Sequence, residues 1–258
     1  MLKALLWDVD GTLAETERDG HLVAFNAAFE ALGLPWRWSE RHYAELLRVA
    51  GGFERLQHFL ASVDPPPREA WLPDNRAALA RRIHQRKNEL YVARVAAGVV
   101  TLRPGVRELI DECTQARVAM AVVTTTSRGN VEALLRATLG PHALGRFATI
   151  VGAEDAPRKK PDPEAYALAL ERLAITPREA VAIEDSPAGV DAARAAGIPV
   201  ILARSCFFED ADGRGTVAAG PGLHTTEGWV PAPDATTLSK RIGLQQIRAW
   251  HARFEGPA

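Results

Sequence analysis

Four short apolar runs, each broken off by small or polar residues, recur along the chain: KALLWD (3–8), VAMAVVTTT (118–126), EAVAIEDS (179–186) and IPVILARS (198–205). A weaker fifth, FATIVGAED (147–155), has the same form. Between them lie stretches whose apolar residues fall at helical spacing: RPGVRELIDECTQA (103–116), NVEALLRATLG (130–140), PDPEAYALALERLAI (161–175) and SPAGVDAARAAG (186–197). A continuously apolar strand has no face to offer water, so it must be covered on both sides, and the intervening helices supply the covers. The alternation predicts an α/β fold, a Rossmann-like three-layer arrangement around a parallel sheet. Boundary residues agree. Pro104 is placed to open one helix, Gly140 and Gly197 to close two others, and Asn130 or Ser186 to act as N-caps.

One long segment does not alternate. Residues 16–96 contain GHLVAFNAAFEALG (20–33), SERHYAELLRVAG (39–51), FERLQHFLASV (53–63) and NRAALARRIHQRKNELYVARVAAG (75–98), all with helical spacing. DPPPRE (64–69) separates two of them and cannot be helical throughout. The economical division is an α/β core from residues 1–15 and 97–258, interrupted by a helical insertion over 16–96. Beyond about residue 207 the chain is rich in Gly and Pro and reads as loops followed by a closing helix, LSKRIGLQQIRAWHARF (238–254).

A chain of 258 residues with 47% hydrophobic content can bury such a core. Its 31 basic and 32 acidic residues leave a net charge of −1, and nothing in that argues for nucleic acid or an anionic membrane as the main partner, so neither is expected. Cys113 and Cys206 are too few and too far apart for a disulfide framework or a thiolate metal site, so a reducing compartment is expected. MLKALLWD lacks the layout of a signal peptide, and no run approaches the roughly 18 apolar residues of a membrane span. The expectation is a soluble, cytoplasmic monomer.

In an open parallel sheet the carboxyl ends of adjacent strands converge on one crevice. Asp8 and Asp10, the threonines 124–126, the loop RKKPDPEAY and Glu184-Asp185 should therefore meet. Together they make an acidic floor, a hydroxyl-bearing wall and a lysine, suited to Mg²⁺ and a phosphoryl group. Singly, each stretch has a plainer explanation. Asp-x-Asp-Gly at a strand end is a common turn. TTTSRGN can be a β-branched strand end plus a cap, and RKKPDP a solvated basic loop in which Lys159 simply faces water. Glu184-Asp185 is harder to dismiss, because adjacent acids directly after AVAI need a partner or solvent. Their joint occurrence carries the reading.

With these stretches in this order the chain resembles the haloacid dehalogenase superfamily, in its phosphatase and sugar-phosphate mutase part. The matching motifs are Asp8-Val9-Asp10-Gly11-Thr12, Thr124-Thr125-Thr126, Lys160 before Pro161, and Glu184-Asp185-Ser186. The resemblance implies that the helical insertion is a cap domain. It implies Asp8 as the nucleophile that forms an aspartyl-phosphate, and Asp10 as the acid and base. Lys160 and a threonine hydroxyl, Thr124 or Thr125, would steady the transferring oxygens, with Thr125 and Thr126 among the substrate contacts. Mg²⁺ would be held by Asp8, the Asp10 main-chain carbonyl and Asp185, with Glu184 nearby.

AETERDGHLVAFN, WRWS (36–39), YAELLRVAGGFERL (43–56) and LRPGVRELI (102–110) are similar to the CbbY-like branch of that superfamily, which includes xylulose-1,5-bisphosphate phosphatases. This likeness implies Glu17 and His21 at the mouth of the site. It also implies that Gly51, Gly52 and Arg55 help to recognise the far end of a small phosphorylated sugar. One departure stands: relatives usually show lysine where this chain has Phe53, and a lysine there would suit a second phosphate. Trp36 and Trp38 are expected in the core of the insertion or at its interface, Glu15 in solvent, and the basic run Arg81, Arg82, Arg86, Lys87 on solvated helix faces.

The leading expectation is a Mg²⁺-dependent phosphatase of small phosphorylated sugars. A phosphosugar mutase would use the same four motifs, and a non-catalytic binding module could share the fold. The module reading predicts loss of Asp8 or Asp10, and both are present.

Overall fold

The computed structural model describes residues 1–63, 73–233 and 239–254. Six strands join in a parallel sheet: β1 (Ala4–Trp7), β2 (Ala119–Val123), β3 (Thr149–Val151), β4 (Ala180–Glu184), β5 (Val200–Ala203) and β6 (Ala218–Gly220). Their spatial order is β3-β2-β1-β4-β5-β6. β1 is an inner strand, with Leu6 beside Ala121 of β2 on one side and Ala182 of β4 on the other. All four of its residues are buried, which is why ALLW shows no polar alternation.

The chain divides into two compact units, Met1–Glu15 with Thr101–Ala258, and Thr16–Val100. In the second unit a π-helical segment, Glu17–Leu22, runs into α1 (Val23–Ala31), followed by α2 (Glu40–Leu46), α3 (Gly52–Ser62) and α4 (Pro73–Ala96). The core of this unit is aromatic. The Trp38 ring lies 4.8 Å from Phe25, 5.0 Å from Phe29 and 5.0 Å from Phe59, and Trp36 packs edge-on against Phe29 and Phe59. Asn26 fixes the chain at Trp38 by accepting its N–H at 2.7 Å and donating to its carbonyl at 2.9 Å. The helix expected over 39–51 ends at Leu46, and α3 opens only at Gly52. DPPPRE lies outside the described residues.

The sheet unit adds α5 (Val106–Gln115), α6 (Arg128–Leu139), α7 (Glu164–Leu173), α8 (Pro187–Ala195) and α9 (Leu244–Phe254). One core cluster unites Leu6, Ala121, Ala182 and Leu202 of the sheet with Tyr166 and Ala169 of α7 and Val190 and Ala193 of α8. Leu5, Trp7, Val122 and Ile183, which alternate to the opposite face, are equally buried. α5 packs on β2 and on α9.

Three sequence expectations are corrected here. β6 lies in a stretch read as loops; AAG is too short to show a period, and its strand character comes from pairing with β5. The closing helix starts at Leu244 rather than 238, because Glu112 accepts the Leu244 N–H at 2.6 Å and fixes the first turn there. Ser127, not Asn130, occupies the N-cap of α6, and Asn130 is buried inside the helix. Ser186 does cap α8, its hydroxyl accepting the Gly189 N–H at 3.2 Å. Among the described residues no helix is long and apolar enough to cross a membrane.

Candidate active site

From β1 the chain builds β2 and β3 on one side and then crosses from β3 to β4 on the other side of β1, and such a switch opens a crevice at the carboxyl ends of the strands. Asp8 directly follows β1, Thr124 follows β2, Glu184 ends β4 and Asp185 directly follows it. All four are buried, as is Lys160, which the loop between β3 and α7 brings across. The Lys160 ammonium donates to Asp8 Oδ1 at 2.7 Å, to the Val123 carbonyl at 2.8 Å and to Glu184 Oε1 at 2.6 Å. These three bonds use its full set of donors.

The loop that delivers Lys160 is stapled. Asp155 accepts the Gly152 N–H at 2.9 Å and pairs with Arg172 at 2.6 Å and Arg128 at 3.2 Å. Lys159 is not a solvated charge: its ammonium donates to the carbonyls of Ala153 at 2.7 Å and Ala156 at 3.1 Å. On the far side, Asp185 Oδ2 accepts the buried Ser205 hydroxyl at 2.5 Å. Gly11 has a φ of +85°, and a Cβ there would lie 2.0 Å from Asp185 Oδ2. Only glycine lets the loop after β1 approach this carboxylate so closely.

Asp8, Glu184 and Asp185 each offer an oxygen within 4.8 Å of the others. Burial pushes the Asp8 carboxyl well above the usual carboxylate range, against the pull of Lys160, and the charges of Glu184 and Asp10 add to the rise. Asp185 is raised by burial first and then by Asp8 and Glu184, while Ser205 and Arg103 draw it back. For Lys160, burial alone would favour the neutral amine, but Asp8 and Glu184 outweigh it and hold the ammonium above the ordinary lysine value. One cation thus stands among three carboxylates. Glu184 Oε1 also accepts the Tyr166 hydroxyl at 2.5 Å, whereas Glu184 Oε2 has no hydrogen-bond partner among the described residues.

Asp10 is half-buried beside this cluster and is not one of the three converging carboxylates. Thr124 Oγ1 accepts the Thr126 N–H at 3.2 Å, and Thr125 and Thr126 are half-buried. Glu15 is engaged rather than solvated, with Arg103 Nε at 3.2 Å. Arg103 also donates to the Gly11, Ala203, Arg204 and Pro221 carbonyls, tying together the loops after β1, β5 and β6.

Glu17, His21, Gly51, Gly52 and Arg55 belong to the helical unit. There Tyr43 donates to Glu17 Oε2 at 2.5 Å, and the buried Arg55 donates to the Tyr43 oxygen at 2.8 Å with Glu17 Oε1 at 3.6 Å. His21 is buried and stacks on Tyr91, ring centroids 4.4 Å apart. Gly51 precedes α3 with a φ of +90°. Lys87, expected on a solvated face, is only 3% exposed and lies over the rings of Phe25 and Tyr91 at 5.0 and 5.5 Å. Phe53 faces the ring of His84, whose pKa is lowered to about 4 by burial and by the neighbouring Lys87 and His21.

Sequence reasoning missed Tyr43, Tyr166, Ser205 and the clamp made by Arg103. Tyr166 left a usable signal, a phenol on the inward stripe of α7 shortly after Lys160. Tyr43 acts from α2 on Glu17, and Ser205 and Arg103 act through loops, contacts that no spacing encodes.

The family model of the haloacid dehalogenase-like hydrolases matches residues 2–197. The chain belongs to this hydrolase family. Within the family it falls in the CbbY-like branch. It is 41% identical to protein CbbY of Cupriavidus necator over 251 residues, covering 97% of each chain. It also matches the crystal structure of a mutant CbbY from Rhodobacter sphaeroides in complex with xylulose-(1,5)bisphosphate. That match has a TM-score of 0.77 and 42% identity, over 84% of this chain and 92% of the other. A phosphorylated carbohydrates phosphatase of Thermotoga maritima is 32% identical over 202 residues, 76% of this chain and 82% of the relative. The four motif stretches of this hydrolase are the ones that meet at the crevice of its sheet.

Proposed function

We propose that this hydrolase is a Mg²⁺-dependent phosphatase of small phosphorylated sugars, working through a phosphoryl group carried on Asp8. The observation that carries the reading is the placement of Asp8: a buried carboxylate at a strand end, oriented by Lys160 and bordered by Glu184 and Asp185. The likeness to a CbbY crystallised with a phosphorylated sugar supports the substrate class.

In this reading an Asp8 oxygen bonds to phosphorus as the bond to the sugar oxygen breaks. The leaving oxygen takes a proton from Asp10. Water then attacks phosphorus, gives its proton to Asp10, and releases phosphate with Asp8 restored. Lys160 holds the oxygens that carry charge through both steps, together with the Thr124 hydroxyl, so positioning and electrostatics do most of the work. The residues present fit a hard dication. Three buried carboxylates converge around a single ammonium, and Glu184 Oε2 lacks a partner among the described residues. Asp8, Asp185 and the Asp10 carbonyl would hold Mg²⁺, with Glu184 beside them. Bound there, the ion supplies the positive charge that lets an anionic carboxylate meet a phosphate dianion.

Glu17, His21, Gly51, Gly52 and Arg55, in a helical cap, are assigned to the far end of the sugar, with Thr125 and Thr126 on the phosphoryl side. The test is phosphate release from a panel of pentose and hexose monophosphates and xylulose-1,5-bisphosphate, with Mg²⁺ and with chelator. Release that needs Mg²⁺ and disappears in Asp8→Asn is expected. No release from any substrate, or release unchanged in Asp8→Asn, sinks the reading. A Phe53→Lys variant in the same panel shows whether that position sets the preference between one phosphate and two.

A further inference from the structure

We infer that Tyr166, the last residue of the RKKPDPEAY stretch and given no role above, is a positioning residue of this site: its hydroxyl divides the charge of Glu184 so that Lys160 stays on Asp8. The inference rests on the proposed phosphatase reading for its kinetic consequence, but its geometric part stands on the contacts alone. Tyr166 is fully buried on the inward side of α7. A phenylalanine would fill the same space in that apolar cluster, and a buried phenol costs free energy unless its hydroxyl is bonded. Here the hydroxyl donates to Glu184 Oε1 at 2.5 Å, the oxygen that also accepts Lys160 at 2.6 Å. The Tyr166 ring lies 5.2 Å beneath the same ammonium, within cation–π range. One side chain therefore touches both the lysine and the acid that competes for it.

The consequence follows from counting donors. Lys160 has three N–H groups, and Asp8 Oδ1, the Val123 carbonyl and Glu184 Oε1 take one each. Val123 is fixed in β2, so the direction of the ammonium is decided between the two carboxylates. The Tyr166 hydroxyl holds the Glu184 carboxylate in one orientation and bears part of its charge. Without it, Glu184 has Lys160 as its one strong partner among these contacts, and its carboxylate can turn to engage the ammonium with both oxygens. Lys160 is then drawn off Asp8. Phenylalanine at this position keeps the ring and the packing, so Tyr166→Phe isolates the hydroxyl.

The experiment has three arms. In kinetics on whichever panel substrate the protein hydrolyses best, kcat of Tyr166→Phe is expected to fall about tenfold or more with KM changed less than about twofold. On a Lys160→Met background the hydroxyl has no lysine to direct, and Tyr166→Phe should lower the residual rate by less than about twofold. A crystal structure of Tyr166→Phe should show Lys160 Nζ beyond hydrogen-bond distance of Asp8, with the Glu184 carboxylate rotated towards it. Unchanged kcat, an equal loss on both backgrounds, or a variant structure that keeps the Lys160–Asp8 bond would each overturn the proposal. A wild-type protein that hydrolyses no phosphorylated sugar refutes the phosphatase reading instead, and the crystallographic arm still decides the role of Tyr166.

Discussion

Replacing Arg103 tests whether one side chain holds the loops of the site together. Its guanidinium donates to the carbonyls of Gly11, Ala203 at 2.9 Å, Arg204 at 2.5 Å and Pro221 at 3.2 Å, and Nε pairs with Glu15, while the side chain is 11% exposed. Hydrogen bonds to a charged group contribute roughly 1.5–3 kcal/mol when buried. In Arg103→Ala water can enter the space left behind, so about 1 kcal/mol for each of the three half-buried carbonyls is the fair figure, about 3 kcal/mol in all. The Pro221 contact and the Glu15 pair are nearer solvent and add little. For a chain of this size, that loss corresponds to a fall in Tm of roughly 6–12 °C. Arg103→Lys restores the charge without the planar fork, which can address several carbonyls at once, so it should recover only about a third of the loss. Thermal unfolding followed by near-ultraviolet circular dichroism reads the effect. A fall below about 2 °C in Arg103→Ala, or an Arg103→Lys variant as stable as wild type, refutes the clamp.

Gly189 lies where a Cβ would come within 1.9 Å of Glu184 Oε2, so Gly189→Ala should displace that carboxylate and suppress hydrolysis. The gain in helix propensity, about 0.5–1 kcal/mol, offsets part of the steric cost, so activity should fall far more than Tm; equal activity would refute the reading. Ser205→Ala removes the 2.5 Å bond to Asp185 and should raise the Mg²⁺ concentration needed for half-maximal thermal stabilisation, a measurement that needs no turnover. An unchanged Mg²⁺ titration counts against Ser205 as the orienting group. Burial would raise the Asp155 carboxyl, but bonds from Arg172 and the Gly152 N–H outweigh it and hold the pKa below the usual value. A depressed acid stabilises the fold above its unfolded pKa of about 3.9 and loses that contribution as pH falls through the folded value. The stability gap between wild type and Asp155→Asn should therefore be constant from about pH 5 to 7 and close below about pH 4, as measured by denaturant unfolding.

Much of the sheet and of its acidic floor could be read from residue order. Strands buried on both faces announce themselves as apolar runs, and the acids that end them stand out because they break an apolar stretch. That is why Asp8, Glu184 and Asp185 stood out before any coordinates, whereas Lys160 was singled out through the resemblance to the family. The misreadings share a different cause. Lys87 and Lys159 look like solvated charges because charge is a property of the residue, whereas burial is a property of the fold: one amine lies over the rings of Phe25 and Tyr91, the other is bound by two loop carbonyls. β6 has three small residues and no period of its own, so only its partner β5 makes it a strand. Arg103 was visible only as part of a helix-opening phrase, since its acceptors lie as far as 118 residues away along the chain.

The cluster at the sheet crevice is also a departure from what stability alone would select. Three buried carboxylates around a single ammonium are unfavourable in any protein that only needs to fold, and an apolar replacement of similar volume would be expected to stabilise it. Yet the surrounding structure is spent on keeping these acids in place. Tyr166 and Lys160 hold Glu184, Ser205 holds Asp185, and Gly11 and Gly189 leave the room that side chains would otherwise take. Supports from α7, α8 and the loops after β1 and β5 converge on a group of charges that is left unbalanced. Such an arrangement makes physical sense if the missing positive charge arrives with a ligand, so that the strain of assembling the acids is relieved on binding rather than on folding.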